Sequence, residues 1–168
     1  MEAAQFKAEV FCWKDLLYRL ALRLLNNTTE AEDAVQHTMM KMWQRKDELN
    51  RMENIRAFVI EALKNDCLNR LKKEKTIERH HEQFAKMRSL STENSNGNMV
   101  AIIKDEINNL PQKQRLIIQL CDVEGFPIKE IAGIVDIDEG AVRTNLSRAR
   151  QKVKMQIRKL QAYEERKL

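Results

Sequence analysis

The 168-residue chain contains only four glycines, two prolines and three cysteines, and aromatic residues make up 5 % of it. Few helix breakers and few β-favouring aromatics, set against abundant Leu, Ile, Met, Lys, Arg and Glu, point to helices rather than strands. The chain also lacks a glycine-rich phosphate loop, a nucleophile elbow, and any carboxylate pair placed for acid–base work, which argues against nucleotide hydrolysis and acyl transfer. His37, His80 and His81 have no cysteine or carboxylate at metal-ligand spacing, so neither a metal nor another cofactor is expected. Cys12, Cys67 and Cys121 stand far apart within apolar helical patterns and read as reduced, buried thiols. No apolar run approaches a membrane span, and the N-terminus has no charged segment leading into an uninterrupted apolar one. A cytoplasmic protein is expected.

What is present is helical periodicity, broken once. Val10, Trp13, Leu17, Leu20 and Leu24 line one stripe of a first helix closing near Asn26 and Asn27. Thr29 and Glu32 read as a capping box for a second helix, with Ala31, Val35, Thr38 and Met42 as its buried stripe and its end near Lys46. Trp13, Trp43 and most methionines fall to the core on this spacing. Positions 47–54 form a loop, and Ile55, Phe58, Val59, Ala62 and Leu63 begin a third helix that runs into Lys72 and Lys73. Periodicity fades from 75 to 98, where serine, asparagine and threonine dominate, as in a flexible linker. The fold expected is all-α: two small helical domains, 1–74 and 99–168, joined by a linker at 75–98, the second domain a helix-turn-helix.

The net charge of +5 is mild, but its distribution is not even. Between 139 and 160, Glu139 stands against Arg143, Arg148, Arg150, Lys152, Lys154, Arg158 and Lys159. Within 128–150 a short helix with Ile128, Ile131, Ala132 and Val135 on its stripe, a tight turn, and a second helix with Val142, Leu146 and Ala149 on its stripe form a helix-turn-helix. A 3.6-residue period then turns Gly140, Thr144, Ser147, Arg148 and Gln151 outward, with Arg143 and Arg150 on the flank. Arg143 or Arg148 can pair with guanine through two hydrogen bonds, Thr144 and Ser147 can reach base edges or phosphates, and Arg150, Lys152 and Lys154 can hold phosphates. Pro127 stands where a Ser or Thr cap is usual, and Asp136 in the turn tolerates left-handed backbone.

Leu110-Pro111, Glu130-Ile131-Ala132, Gly140-Ala141-Val142-Arg143 and Arg148-Ala149-Arg150, together with 31–36, Met42-Trp43 and the run from Arg56 to Asn65, resemble the short extracytoplasmic-function (ECF) sigma factors of bacterial RNA polymerase. The resemblance covers both halves. It implies that Asp33, Gln36 and Met40 touch core RNA polymerase. It further implies that Asn65, with Lys64, Arg51, Asn54 and Arg70, serves the minus-ten element, Asn65 reading a flipped-out base. Gly140, Arg143, Thr144, Ser147, Arg148 and Arg150 would read the minus-thirty-five element as duplex. The implied partners are core polymerase, promoter DNA and an anti-sigma factor, with no small-molecule substrate and no enzymatic activity. Asn69 in place of a frequent aspartate, Pro127 and Asp136 depart from the family pattern and bear on which promoter is read. An autonomous helix-turn-helix regulator with an N-terminal dimerisation or sensing domain is the alternative, and a helical adaptor that binds only protein a third.

Overall fold

The structure, a computed structural model, describes residues 1–81 and 99–165. The described residues are helical, with no strand. A short α1 (Ala3–Glu9) and a 3-10 turn (Phe11–Trp13) lead into α2 (Lys14–Leu25), which buries Leu17, Leu20, Ala21 and Leu24. Asn26 ends α2 in the left-handed region (φ 52°), a conformation that asparagine accepts more readily than most residues. Asn27 then caps α3 (Thr28–Gln44) by accepting from the Glu30 N–H at 3.1 Å. The cap is therefore Asn27 and not the Thr29–Glu32 pair expected from sequence. In the run Asn26-Asn27-Thr28-Thr29 every residue is a competent capper or turn former, and the left-handed Asn26 decides which one stands at the junction.

α3 buries Ala31, Ala34, Val35, Thr38, Met39 and Met42, and its two alanines let α2 approach closely. The expected loop at 47–54 holds a helical turn, α4 (Lys46–Leu49), whose Leu49 is fully buried. α5 (Ile55–His81) closes the first unit with Val59, Ile60, Leu63 and Cys67. It extends seven residues into the stretch expected to be linker, through His80 and His81; the rest of that stretch, 82–98, lies outside the described residues.

The second unit comprises α6 (Met99–Asn108), α7 (Gln112–Ile118), a π-helical turn (Gln119–Val123), α8 (Ile128–Val135) and α9 (Glu139–Glu165). Pro111 stands just before α7 and supplies no N–H where none is needed. Leu116, Ile117, Leu120, Phe126, Ile131 and Ile134 pack against Val142, Leu146, Ala149 and Val153 of α9. In the π turn residues five apart share a side, and Gln119 Nε2 donates to Glu124 Oε1 at 3.1 Å. Gly125 follows at φ 72°, a backbone conformation suited to glycine.

The two units pack against one another, α5 on α8 and α2 on α7. Several charged side chains bridge this seam. Arg19 makes a two-pronged ion pair with Glu124 (2.9 and 2.8 Å), and the Arg19 hydrogen bond holds the Glu124 carboxyl below its usual range despite partial burial. Arg23 donates to Gln119 Oε1 at 3.1 Å and to Asn108 Oδ1 at 2.8 Å, while Arg115 donates to the Arg23 carbonyl at 3.1 Å.

Candidate functional site

The turn between α8 and α9 is built by two aspartates. Asp136 takes a left-handed backbone (φ 55°), and its N–H donates to the Ala132 carbonyl; Asp138 caps α9 by accepting from the Ala141 N–H at 2.8 Å. A Cβ at Gly140 would lie 3.0 Å from the capping Asp138 carboxylate oxygen, so the small residue leaves room for the cap as well as for a ligand. Val142, Leu146 and Ala149 are buried, and Gly140, Arg143, Thr144, Ser147, Arg148, Arg150 and Gln151 are all exposed. The structure thus brings the six candidate residues of this helix onto one accessible surface.

Their present engagements differ. Arg143 is paired with Glu139 one turn back (2.8 Å), and Arg150 grips Asp122 through both Nε (2.9 Å) and Nη2, holding the Asp122 carboxyl below its usual range. Arg148 has no partner among the described residues. The Thr144 hydroxyl donates to the Gly140 carbonyl at 3.0 Å, which leaves its oxygen lone pairs outward.

Asp33, Gln36 and Met40 form an exposed stripe along α3, and Met40 is 62 % exposed. Trp43 continues that stripe at 41 % exposure, against the core placement expected for it. Phe6 meets its ring edge-on at 5.1 Å between centroids, and Lys46 Nζ lies 4.5 Å above it. The signal was available: Trp43 stands three residues after Met40 and seven after Gln36. Cys12 is likewise exposed and Cys121 half-buried, so only Cys67 is the buried thiol expected, and burial pushes it up to about 12.

The five residues linked to the minus-ten element are not gathered together. Arg51 and Asn65 are exposed. Asn54 caps α5 by accepting from the Ala57 N–H at 2.9 Å, and its amide reaches Glu130 Oε1 at 3.4 Å. Lys64 is buried in the seam between the units. Arg70 is tied to Asp66 (2.9 Å) and Glu30 (2.8 Å), and Asp66 also meets His37 Nδ1 at 2.7 Å. Burial alone would raise the Asp66 carboxyl, but the hydrogen bonds from Arg70 and His37 outweigh it and hold the group low. This network borders a groove of about 1010 Å³ between α3 and α5, lined also by Lys41, Asn69 and Lys73. His37 and Lys41 were missed from sequence because they sit on α3, 28 and 24 residues before Asn65.

Residues 12–77 match the family model described as sigma-70 region 2, and residues 101–153 match that described as sigma-70, region 4. The ECF RNA polymerase sigma factor SigW of Bacillus subtilis (strain 168) is 26 % identical over 161 residues, covering 88 % of this chain and 86 % of SigW. The chain is an ECF sigma factor. The ECF RNA polymerase sigma factor SigL of Mycobacterium tuberculosis (strain H37Rv) is likewise 26 % identical, over 95 % of this chain and 92 % of SigL. The sigma factor RpoE of Bartonella quintana, solved with the anti-sigma factor NepR, has the same fold, with a TM-score of 0.77 at 24 % identity over 92 % of this chain and 97 % of RpoE.

As an ECF sigma factor the chain is an alternative sigma factor that directs promoter-specific transcription initiation, and not an autonomous regulator. Sigma factors as a family are non-catalytic initiation factors. The region 2 match spans the bundle of α2, α3 and α5, and the region 4 match ends inside α9, just past the recognition surface. Among the described residues no helix is long and apolar enough to cross a membrane, and no group of His, Cys, Asp and Glu is placed to hold a metal ion.

Proposed function

We propose that this sigma factor divides its work between two surfaces: the α3 stripe of Asp33, Gln36, Met40 and Trp43 docks on core RNA polymerase, and the exposed face of α9 reads the minus-thirty-five element as duplex. The observation that carries this is the shape of α9, whose Val142, Leu146, Ala149 and Val153 are buried while Gly140, Arg143, Thr144, Ser147, Arg148 and Arg150 all face solvent. A helix presented in this way fits the major groove, where arginine specifies guanine and the flanking cations neutralise phosphates. Two weak footholds, covalently joined, then act as one strong one.

Asn65, with Arg51 and Asn54 before it and Lys64 and Arg70 beside it, would serve the melted minus-ten element. Extruding a base costs a few kcal/mol, and a side-chain amide that hydrogen-bonds its edge offsets that cost. The groove between α3 and α5 supplies Lys41 and Lys73 for the strand's phosphates. Such a factor works in the cytoplasm, has no catalysis of its own, and is held in check by an anti-sigma factor, as the solved complex of RpoE with NepR suggests.

The test separates the two surfaces. Asp33→Ala with Met40→Ala should weaken binding to core polymerase at least tenfold and leave binding to minus-thirty-five duplex unchanged. Arg143→Ala with Arg148→Ala should do the reverse. Equal losses in both assays for either pair would overturn the division of labour.

A further inference from the structure

On the N-terminal side of the seam, two of the residues that meet α8, Asn54 and Lys64, belong to the set assigned above to the minus-ten element. Lys64, only 9 % exposed, donates from Nζ to the Ile134 carbonyl at 2.6 Å. That carbonyl belongs to the last turn of α8, where the helix dipole concentrates partial negative charge. One turn earlier, Glu130 accepts from Arg56 Nη2 at 2.9 Å and from the Asn54 amide at 3.4 Å. The Arg56 guanidinium also lies 4.2 Å from the Phe126 ring centroid. α8 therefore offers two acceptors about 6 Å apart along its axis, the Glu130 carboxylate and the partly negative Ile134 carbonyl, and each is met by a cation of the first unit.

We propose that α8 is an intramolecular ligand of the minus-ten surface. In the free chain the Glu130 carboxylate and the C-terminal carbonyls of α8 occupy the positions that strand phosphates take on Asn54, Arg56 and Lys64. Closure of the two units and engagement of the minus-ten strand then exclude one another. The proposal rests on the assignment of these residues to that strand, and it adds Arg56 to them.

The chemistry of the seam suits a reversible latch. The Lys64 ammonium is buried against a neutral carbonyl, with no carboxylate partner among the described residues, so a phosphate is a better ligand for it than the one it has. At the far end, Arg19 is 51 % exposed but its partner Glu124 only 8 %, so reversing the charge of Arg19 sets a second carboxylate against a nearly buried one at the seam. Asn65 stays exposed throughout. In the closed chain its base-reading amide is accessible while the neighbouring phosphate site is filled.

The full chain with Arg19→Glu tests this, because Arg19 sits outside every DNA or polymerase surface named above and faces Glu124 alone as an ion-pair partner. Small-angle scattering reads closure, and fluorescence anisotropy reads binding of a labelled single strand carrying the minus-ten region of a promoter that the chain uses. Arg19→Glu should raise the radius of gyration and tighten strand binding about tenfold, as when a competent state populated to roughly a tenth becomes dominant. The exchange Arg19→Glu with Glu124→Arg should return both to their starting values. An opened chain with unchanged strand affinity would overturn the proposal, and so would a chain that stays compact in both Arg19→Glu and Glu130→Lys. Lys64→Ala in the opened chain should undo most of the gain. If it does not, the assignment of Lys64 to the strand is at fault, whereas a failure to open faults the latch itself.

Discussion

Arg148→Ala probes the recognition helix most sharply, because the structure ranks Arg143, Arg148 and Arg150 by what already holds them. Arg148 has no partner among the described residues, so nothing must be broken before it reaches a base and nothing is left unpaired when it is removed. Arg143 first has to leave Glu139, an exposed pair one turn apart whose loss costs about 0.3–0.5 kcal/mol. Arg150 has to abandon a two-pronged contact with Asp122, so on the proposed reading it should contribute less and act on phosphates. A two-bond pairing with guanine discriminates by about 1–3 kcal/mol, which is roughly 5- to 150-fold in Kd. Arg148→Ala should therefore weaken the specific duplex by that factor, with little change for a scrambled duplex or in the salt dependence. Arg150→Ala should weaken both duplexes alike and reduce the salt slope by about 1. Anisotropy titrations on both duplexes at three salt concentrations distinguish these outcomes. Equal loss on the two duplexes for Arg148→Ala would refute its role as a base reader.

Ile131 is fully buried between α8 and α9, so Ile131→Ala should lower stability by about 2–4 kcal/mol in urea titrations followed by circular dichroism; a loss below about 1 kcal/mol would contradict its packing. A thiol reagent at pH 8 should modify Cys12 first and Cys67 only on unfolding, because Cys12 is exposed whereas burial pushes the Cys67 thiol up to about 12. Glu124 and Asp66 are held below their ordinary values of 4.5 and 3.8, so the stability they confer is complete above those values and is lost as pH falls through the lower folded ones. Thermal midpoints should stay level from pH 7 to 5 and drop below about pH 4, less so in Glu124→Gln; a steep fall between pH 7 and 5 would contradict this.

Local periodicity made most of the helices legible, and the buried stripe of α9 together with the turn at Asp136 disclosed the helix-turn-helix. Two features escaped because their causes are not local. The π turn at 119–123 carries no composition signal, and its effect, Gln119 and Glu124 on one side facing α2, depends on a partner about a hundred residues away. Lys64 reads as a solvent-facing cation, yet it lies four residues after Ile60 and three before Cys67, on the apolar stripe itself; α8 is what covers it. Trp43 reads as core by residue type, although its register with Gln36 and Met40 puts it outside. α5 outruns its apolar stripe, so periodicity alone ends it short of His81.

Run-off transcription with core RNA polymerase on genomic DNA tests the central claim most directly. The purified chain should convert core enzyme to discrete start sites that share two short upstream elements, with Asp33→Ala lowering all of them and Arg148→Ala lowering those with the best minus-thirty-five match most. A folded chain that yields no start sites beyond those of core enzyme alone, on any template, would contradict the account.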